Sequence, residues 1–550
     1  MRWSVWVRGG LVAALVVSGA VLTAPGATAA PPDGSPPAAP GATVPLRSAP
    51  ADAATGARTV HTAAPFAMVG VRWAGVAPDR IEVRSRTVAG KWSEWTALEP
   101  SDAQPERNRA STTTEPLWTG PSQDVQVRAY RSGQPVTDGL ELVTVDPGSR
   151  PADARLSGAG RAASAQAAGR PAVVSRAQWG ADERLMTWAP EYASATKAVT
   201  IHHTAGTNTY SCADSAAIVR GIYQYHAVTN GWGDIGYNVL VDSCGTIFEG
   251  RTGGLDVPTI GAHAGGFNQH TFGIALMGDF SNGTPTDPAL ESVSAMAAWK
   301  LATSYRDVRG STVLVSTGGG TSRYPAGTAV TVPNLFAHRD VGNTACPGDS
   351  VYNRLEQIRS RVQTLAGDWR SSPVYQKWVA LGGESGPLGG VYQQEQDLPG
   401  GGRGAYFAGS DGVTITSSAA AGTHFLRGPI QRAWVAMGGA GWSYPTTDEL
   451  AVPGKPGLYN DFLNGSSIYW SAAGGAHAVG GAIKTWWVQG GGAAGRYGLP
   501  YSDEFAFDGG TRRQDFTTVT VIYNPATGQF RTVPHRTPIG GGWRTGVSAR

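Results

Sequence analysis

Dense blocks of lysine or arginine are absent from this sequence. The 44 Lys and Arg residues are nearly balanced by 41 Asp and Glu residues, which leaves a formal net charge of +3 at pH 7. Proteins that bind nucleic acid or anionic lipid through electrostatic attraction carry concentrated basic patches. The charge balance therefore favours neither nucleic acid nor a lipid surface as a partner.

Long apolar runs are scarce as well. The run at residues 11–21 follows Arg2 and Arg8 and precedes small residues ending at Ala29, an arrangement typical of a secretory signal peptide. No later segment approaches the roughly 20 continuous apolar residues of a membrane span. We therefore expect residues 1–29 to be removed and the mature protein, without a membrane span, to be secreted or associated with a cell wall.

The length of 550 residues predicts two to four domains. Residues 30–58 are rich in Pro, Ala and Gly and predict a linker. Short alternating runs at residues 59–146 are typical of a small β-sandwich-like domain. A second linker is predicted at residues 147–170. The β-domain contains four tryptophans, which in a small β-sandwich are more often part of the core than of a sugar-binding platform. They are Trp73, Trp92, Trp95 and Trp118.

Residues 171–367 alternate strand-like and helix-like patterns, which predicts an α/β domain with a mixed central sheet flanked by helices. Helical spacing predicts one helix around Ile218, one after Asp287 and a last helix capped by Asp349. The predicted strands are residues 199–203, 237–241, 247–249, 272–277 and 335–338.

Residues 371–533 contain three repeated units with a period of about 55. In each unit a tryptophan precedes a Gly-Gly pair, and these tryptophans are Trp378, Trp434 and Trp487. The units resemble LGFP repeats, although no copy reads Leu-Gly-Phe-Pro in full. The resemblance implies a β-rich repeat domain that holds the protein to cell-envelope polymers. A stacking scaffold without a ligand is the alternative. The basic, Gly-rich residues 534–550 predict a disordered tail.

Cysteine is rare, with three residues in the chain. An odd count in an exported protein predicts one disulfide and one thiol with another role. Six of the ten histidines lie in the α/β domain, and Cys346 follows His338 by eight residues. Two imidazoles and a thiolate would leave the open fourth position of a hydrolytic zinc site. Spacing alone does not select the ligands, and a nucleophilic role of Cys346 is the rival interpretation.

Short motifs spread over residues 175–365 resemble peptidoglycan recognition proteins and the phage-lysozyme-type amidases, a superfamily of zinc amidases. The motifs run through most of the α/β domain. They are Ser175-Arg176-Ala177-Gln178-Trp179-Gly180-Ala181, Ile201-His202-His203-Thr204-Ala205-Gly206, Gly231-Trp232-Gly233-Asp234-Ile235-Gly236-Tyr237-Asn238, Glu249-Gly250-Arg251, Gly261-Ala262-His263-Ala264, Gly273-Ile274-Ala275-Leu276-Met277-Gly278-Asp279, Ala337-His338-Arg339-Asp340 and Cys346-Pro347-Gly348.

The resemblance implies that His202, His338 and Cys346 bind Zn²⁺. His203 is the alternative to His202, but adjacent strand residues point to opposite faces, so only one of the two can face the metal. The resemblance also implies that Tyr237 faces the reacting amide, and Thr344 stands where phage enzymes carry a lysine. A neutral hydroxyl there can stabilise an oxyanion by a hydrogen bond but supplies no positive charge.

Four further residues are candidates to line the groove for a muramyl peptide, and a structural role is the alternative for each of them. Arg251 could meet a carboxylate of the peptide stem with two hydrogen bonds. The candidates are His226, Trp232, Arg251 and His263. Because Cys212 and Cys244 fall outside the blocks that carry the metal ligands, we expect them to form the disulfide.

Together these observations predict a secreted zinc-dependent N-acetylmuramoyl-L-alanine amidase that hydrolyses the lactyl-L-alanine amide of peptidoglycan and is held at the envelope by its repeats. Two alternatives belong to other classes. A non-catalytic peptidoglycan receptor is disfavoured because, in the family that the sequence resembles, receptors typically lose the cysteine ligand. A structural envelope protein with a relict amidase domain would contain almost no zinc.

Overall fold

The computed structural model describes residues 42–52, 56–101, 113–156, 169–409 and 412–535. The expected signal peptide lies outside the described residues, as do residues 536–550 of the expected tail. None of the helices in the described part of the chain combines the length and the apolar character needed to cross a membrane.

The N-terminal domain is built from seven strands: β1 Ala42–Pro45, β2 Arg58–Trp73, β3 Arg80–Thr87, β4 Thr96–Ala97, β5 Leu117–Arg131, β6 Gln134–Pro135 and β7 Leu140–Val145. They form one antiparallel sheet in the order β1-β7-β2-β5-β3-β4, with β6 paired to β5. Alternating apolar side chains such as Val69, Val71 and Val83 form its core.

The prediction of a linker at residues 30–58 is wrong for the part that begins at Ala42. Strand β1 pairs with β7, and Leu46, in the 3-10 turn Leu46–Ser48, is buried in the core of the sheet. The surrounding Pro, Ala and Gly residues dilute the apolar signal of this segment. Its burial depends on strand β7, about 100 residues further along the chain.

The tryptophans of the N-terminal domain divide into two pairs. Trp73 and Trp118 are buried, as the core interpretation predicts. Trp92 and Trp95 are half-buried, and the guanidinium of Arg84 lies over both rings at 5.1 and 4.9 Å. Arginine therefore covers the indole faces that a sugar would need.

The predicted second linker also begins with ordered structure. Helix α1, Asp153–Leu156, brings the carboxylate of Asp153 to within 2.6 Å of Arg220, and both side chains are buried. Arg220 also donates to the carbonyls of Pro147 and Gly148. An ion pair removed from water in this way fixes the start of the segment on the central domain, a contact that an Ala-rich sequence does not reveal.

The central domain has a mixed five-stranded sheet in the order β10-β9-β11-β8-β14. Strands β9, β11, β8 and β14 run parallel, and β10 is antiparallel to β9. Every residue of β8 and β11 is buried, as expected for strands covered on both faces. The strands are β8 Ala198–His203, β9 Val239–Val241, β10 Ile247–Glu249, β11 Thr271–Leu276 and β14 Leu335–Ala337.

Helices cover both faces of this sheet. One core contains apolar residues of the helices Asp287–Thr303 and Leu355–Ala366, and the other contains those of the helix Ser215–Gln224. A hairpin of strands β12 and β13, which the sequence did not predict, forms a separate sheet. These elements are α2 Arg176–Trp179, α3 Ser215–Gln224, a π-helical turn Tyr225–Thr229, α4 Asp287–Thr303, β12 Ser311–Val315, β13 Ala329–Pro333, α5 Asp349–Tyr352 and α6 Leu355–Ala366.

Two predicted helix starts differ from the structure. Thr286, and not Asp287, caps α4, since its side chain accepts the N–H of Ala289. The predicted last helix is two helices, α5 and α6. Asp349 is the first residue of α5 and follows Gly348, whose φ of 82° suits a residue without a Cβ.

The C-terminal region consists of three units, each a helix followed by a four-stranded antiparallel sheet. In each unit the indole N–H of Trp378, Trp434 or Trp487 donates to a backbone carbonyl. The first unit comprises α7 Pro373–Ala380, β15 Val391–Leu398, β16 Gly402–Phe407, β17 Val413–Ser418 and β18 Gly422–Arg427. The second comprises α8 Gly428–Ala436, β19 Leu450–Ala451, β20 Leu458–Asp461, β21 Ser467–Ser471 and β22 Gly475–Val479. The third comprises α9 Gly481–Gln489, β23 Phe505–Phe507, β24 Thr511–Asp515, β25 Val519–Asn524 and β26 Gln529–Pro534.

The units are joined by the same contact at both junctions. Asp448 of the second unit accepts the N–H of Phe425 in β18, and Asp503 of the third accepts the N–H of Ala478 in β22. Each carboxylate also faces a histidine of the preceding unit, at 3.5 and 3.6 Å. The junction therefore repeats together with the fold.

Candidate metal centre and its groove

The predicted metal ligands meet at the carboxyl ends of two neighbouring parallel strands. The register of β8 and β14 places Ala337 opposite Ile201, so the next residues are His338 and His202. Donor atoms of His202, His338 and Cys346 all lie within 4.8 Å of one another, and the three side chains are buried. The Sγ atom of Cys346 is 3.6 Å from Nδ1 of His202. Two imidazoles and one thiol are a donor set that suits Zn²⁺.

His203 takes no part in this triad. Its Nδ1 accepts the backbone N–H of Phe280 at 3.2 Å, and its Nε2 lies 3.5 Å from the carboxylate of Glu99. Glu99, His203 and Asp279 form a second group of nearby donor atoms. The alternation of side chains along β8 thus separates the two neighbouring histidines, as the strand geometry requires.

His263, a predicted groove residue, supports His202. Nδ1 of His263 lies 3.0 Å from Nε2 of His202, which leaves Nδ1 of His202 directed towards Cys346. The His263 ring fits because Gly261 and Gly273 flank it, and a Cβ on either would overlap the imidazole. A partner on the second ring nitrogen fixes the orientation of a ligating histidine.

The imidazoles of His202 and His263 favour the neutral form. Burial, together with the charges of the neighbouring histidines, lowers the pKa of His202 well below its usual range. Burial, followed by the charges of His338 and Arg251, lowers the pKa of His263 to about 3. Metal binding requires neutral imidazole, so these side chains need not lose a proton to bind a cation at neutral pH.

Tyr237 and Thr344 both contact the segments that carry the triad. The Tyr237 hydroxyl donates to the carbonyl of His203 at 3.4 Å, and its ring lies 5.4 Å from that of His202. The hydroxyl oxygen of Thr344 accepts the backbone N–H of Cys346 at 3.2 Å. That bond holds the loop of Cys346 and leaves the hydroxyl hydrogen of Thr344 to donate.

Among the other predicted groove residues, His226 lies in the π-helical turn and Trp232 packs against it. Rings of His226 and Trp232 pack at 4.5 Å, and Nδ1 of His226 accepts the N–H of Gly236. Arg251 is buried, donates to the carbonyl of Ile235 at 3.1 Å and lies over the ring of Trp188. These contacts give Arg251 a structural role in addition to the predicted one.

A disulfide joins Cys212 and Cys244. Cys212 lies just before α3, and Cys244 lies in the turn between β9 and β10. The bond ties the helix that leads to His226 to the strands that follow Tyr237.

Two glutamates near the groove were not predicted from the sequence. Glu99 and Glu115 belong to the N-terminal domain, yet they face His203 and His226 of the central domain. No local motif marks either residue. Their position arises from the way the two domains pack together.

Comparison with known families matches each of the three regions. The model of the N-acetylmuramoyl-L-alanine amidase family matches residues 192–349. An N-terminal galactose-binding domain-like family matches residues 25–167, and the LGFP repeat family matches residues 443–495. The β-sandwich-like, α/β and β-rich repeat regions predicted from the sequence are thereby confirmed.

Individual relatives match the central domain. Peptidoglycan-recognition protein SC2 of Drosophila simulans is 34% identical over 183 residues, which are 33% of this chain and 84% of that protein. The human N-acetylmuramoyl-L-alanine amidase is 34% identical over 140 residues, 26% of this chain and 20% of that protein. The solved structure of Drosophila PGRP-LB is 26% identical and covers 34% of this chain and 92% of that one, with a TM-score of 0.26.

The similarity to the recognition protein extends over most of that protein's length, and the amidase family model covers the segment that carries the triad. The predicted resemblance is therefore confirmed. The chain belongs to the peptidoglycan-recognition protein family, and it also carries a galactose-binding-like N-terminal domain and LGFP repeats.

Proposed function

We propose that the protein is a secreted, zinc-dependent N-acetylmuramoyl-L-alanine amidase that hydrolyses the amide between the lactyl group and the L-alanine of peptidoglycan. The observation that carries the proposal is the convergence of donor atoms from His202, His338 and Cys346 within 4.8 Å. A protein that only binds a muramyl peptide has no chemical need for a buried thiol beside two imidazoles.

His202, through Nδ1, His338 and Cys346 would hold the metal. When bound there, Zn²⁺ supplies Lewis acidity, which polarises the scissile carbonyl and activates water for attack. His263 holds His202 in the required orientation through the contact between Nδ1 and Nε2. The thiol of Cys346, as thiolate, provides the anionic donor of the set.

Two hydroxyl groups of the chain act on the substrate in this proposal. The Tyr237 hydroxyl, now on the carbonyl of His203, turns to the reacting amide and stabilises the charge that develops on it. The Thr344 hydroxyl, whose oxygen is held by the amide of Cys346, donates a second hydrogen bond. Neither contributes a positive charge, so most of the electrostatic stabilisation must come from the cation.

The muramyl peptide would lie along the wall that contains His226 and Trp232. An indole next to an imidazole offers an apolar face and a polar edge, which suits a sugar ring that bears a peptide. We further propose that the LGFP-type units, residues 371–533, hold the enzyme to cell-envelope polymers, and that residues 171–367 form the catalytic domain.

The function is tested on the products released from purified peptidoglycan sacculi. Mass spectrometry is expected to find stem peptides that begin with a free L-alanine amino group, together with glycan chains that keep their lactyl groups. Treatment with 1,10-phenanthroline should stop the release, and added Zn²⁺ should restore it. Products cut within the glycan, or release that persists after complete removal of zinc, contradict the proposal.

A further inference from the structure

The N-terminal domain packs directly against the segments of the central domain that lie next to the triad. Apolar residues of its sheet share one continuous core with helix α3 and the π-helical turn of the central domain. The residues from the sheet are Ala67, Met68, Trp118, Val143 and Val145, and those they meet include Ile218, Ile222 and Tyr225. Burial of this extent makes the contact a stable part of the molecule.

The backbones approach closely at the centre of this contact. A Cβ on Gly70 in β2 would overlap the hydroxyl and ring of Tyr225, and a Cβ on Gly221 in α3 would lie 2.8 Å from the methyl group of Met68. Gly70 does not have a positive φ, so its backbone conformation is open to any residue. Its lack of a side chain therefore serves the contact between the domains and not a turn.

Two carboxylates extend from this domain to the groove histidines. Glu99 lies 3.5 Å from Nε2 of His203, and Glu115 lies 3.6 Å from Nε2 of His226. In both imidazoles Nδ1 accepts a backbone N–H, from Phe280 and from Gly236. Each neutral ring must then carry its hydrogen on Nε2. Neither Nε2 makes a hydrogen bond, and the nearest glutamate oxygens of the other domain lie 3.5 and 3.6 Å away.

Polar side chains complete the contact around Glu115. Ser101 donates to the carboxylate of Glu115 at 2.7 Å, and Asn230 at the end of the π-helical turn donates to Ser101. The hydroxyl of Thr113 donates to the side-chain oxygen of Asn230. These bonds cross from the N-terminal sheet to the groove wall and fix the domain in one orientation.

The side chains that would act on a substrate are almost inaccessible, and Tyr237 shares one core with Met68 and Trp118 of the N-terminal domain. A muramyl peptide with its glycan cannot reach groups that are more than 90% buried without displacing what covers them. Their exposed fractions are 0% for His226, 1% for His202, 5% for Trp232, 6% for Tyr237 and 7% for Cys346.

We propose that the N-terminal domain is an intramolecular competitor of the substrate. It occupies the groove, and its Glu99 and Glu115 take the places in front of His203 and His226 that carboxylate or carbonyl oxygens of a muramyl peptide would occupy. The wild-type protein therefore works at reduced activity, because the domain must move aside before a substrate can bind. The identity of the competing substrate rests on the proposed amidase function, whereas the occlusion itself does not.

The accessibility of Cys346 tests the occlusion without any measurement of catalysis. Cys212 and Cys244 form the disulfide, so Cys346 is the thiol that remains. The full-length protein, freed of metal by a chelator, is exposed to Ellman's reagent, and the rate of thiol labelling is recorded. The wild type is expected to react slowly because the N-terminal domain covers the groove.

The variant Gly70→Ala is designed to push the domain off the groove. Overlap with Tyr225 should raise the labelling rate of Cys346 by about tenfold or more. Gly169→Ala is the matched control, because Gly169 has an ordinary φ and no atom within 4 Å of an added Cβ. A second variant, Glu99→Gln with Glu115→Gln, removes both negative charges without changing side-chain size and should give a smaller rise.

The outcomes separate the two proposals. If labelling stays at the wild-type rate in both test variants, while circular dichroism shows the native fold, the occlusion is overturned. If labelling rises in the test variants and not in the control, the occlusion is supported. Release of stem peptides should rise in parallel. A rise in labelling with no peptide release from any zinc-loaded variant would leave the occlusion standing and refute the amidase function.

Discussion

In the central domain, His202 and His263 lie against each other, and burial lowers the pKa of both imidazoles. In the C-terminal region, His477 binds the carbonyl of Gly474 and lies 3.6 Å from the carboxylate of Asp503, whose hydrogen bond raises the pKa of the histidine. The same residue type is kept neutral in one region and favoured as a cation in the other.

The opposite pKa shifts of these histidines follow from their different surroundings. An imidazole can bind a metal cation only in its neutral form, and burial favours that form of His202 and His263. A junction between units needs attraction across a boundary, so it pairs the imidazole with a carboxylate. The cluster around His202 occurs once in the described residues, in the central domain, whereas the contact between an aspartate and a histidine occurs at both junctions of the repeats.

Replacement of Cys346 by alanine should have the largest effect. The change removes the anionic donor of the triad, so we expect the loss of bound zinc and a fall in peptide release by roughly 10³-fold or more, the equivalent of several kcal/mol. Zinc content by mass spectrometry and release of stem peptides from sacculi measure the two effects. Full activity in a zinc-containing Cys346→Ala protein would refute the assigned triad.

Tyr237→Phe should separate turnover from metal binding. Loss of one hydrogen-bond donor near the reacting amide is expected to lower kcat by about 10²-fold or more with zinc content and melting temperature unchanged. Tyr192→Phe is the control, because the Tyr192 hydroxyl binds the carbonyl of Gly253 on the surface. Equal turnover in both variants would show that Tyr237 acts only in packing.

Removal of the disulfide should lower stability and spare the metal centre. The bond between Cys212 and Cys244 closes a loop with a sequence separation of 32, for which loop entropy predicts a loss of roughly 3–4 kcal/mol in the double alanine variant. Thermal unfolding with and without Zn²⁺ measures the loss. Non-reducing peptide mapping provides the check, and a disulfide that contains Cys346 would contradict both the pairing and the metal site.

The smallest effect is expected at a junction between repeats. The folded pKa of His477 lies above its usual 6.5 and that of Asp503 below its usual 3.8. The pair therefore stabilises the fold fully between these ordinary values. That stability is lost as the pH rises through the folded pKa of His477 or falls through that of Asp503.

The variant Asp503→Asn measures this contribution. Because the carboxylate is largely exposed, the loss should stay below about 1 kcal/mol. The melting temperature of the wild type should exceed that of the variant more at pH 5.5 than at pH 8.5. Asp508→Asn, at an exposed position, serves as the control. A difference that is independent of pH would mean that the ion pair contributes nothing and that only the hydrogen bond to Ala478 matters.

Much of the central domain could be predicted from the sequence because its signals are local. Strand β10 has the predicted bounds, and β8, β11 and β14 differ from the prediction by one residue at one or both ends, since continuous buried apolar runs mark them. The residues brought together at the metal centre were named from short motifs. Alternation along a strand was enough to separate His202 from His203.

What could not be predicted depends on contacts between distant segments. Strand β1 gains its order from β7, and Asp153 from Arg220. Nothing near Glu99 or Glu115 in the sequence indicates that they reach the groove, because that position follows from the packing of two complete domains. Patterns of hydrophobicity describe how each domain folds, and they carry little information on which faces meet.

The junction formed by Asp448 and Asp503 also bears on how this protein can evolve. At each junction an aspartate accepts a backbone N–H from the last strand of the preceding unit. An inserted unit would therefore find matching partners on both sides, and deletion of a unit would bring together two units that match. Copy number can then change by recombination between units without repair elsewhere in the chain. The distance between the central domain and the last unit could thereby be lengthened or shortened in whole steps.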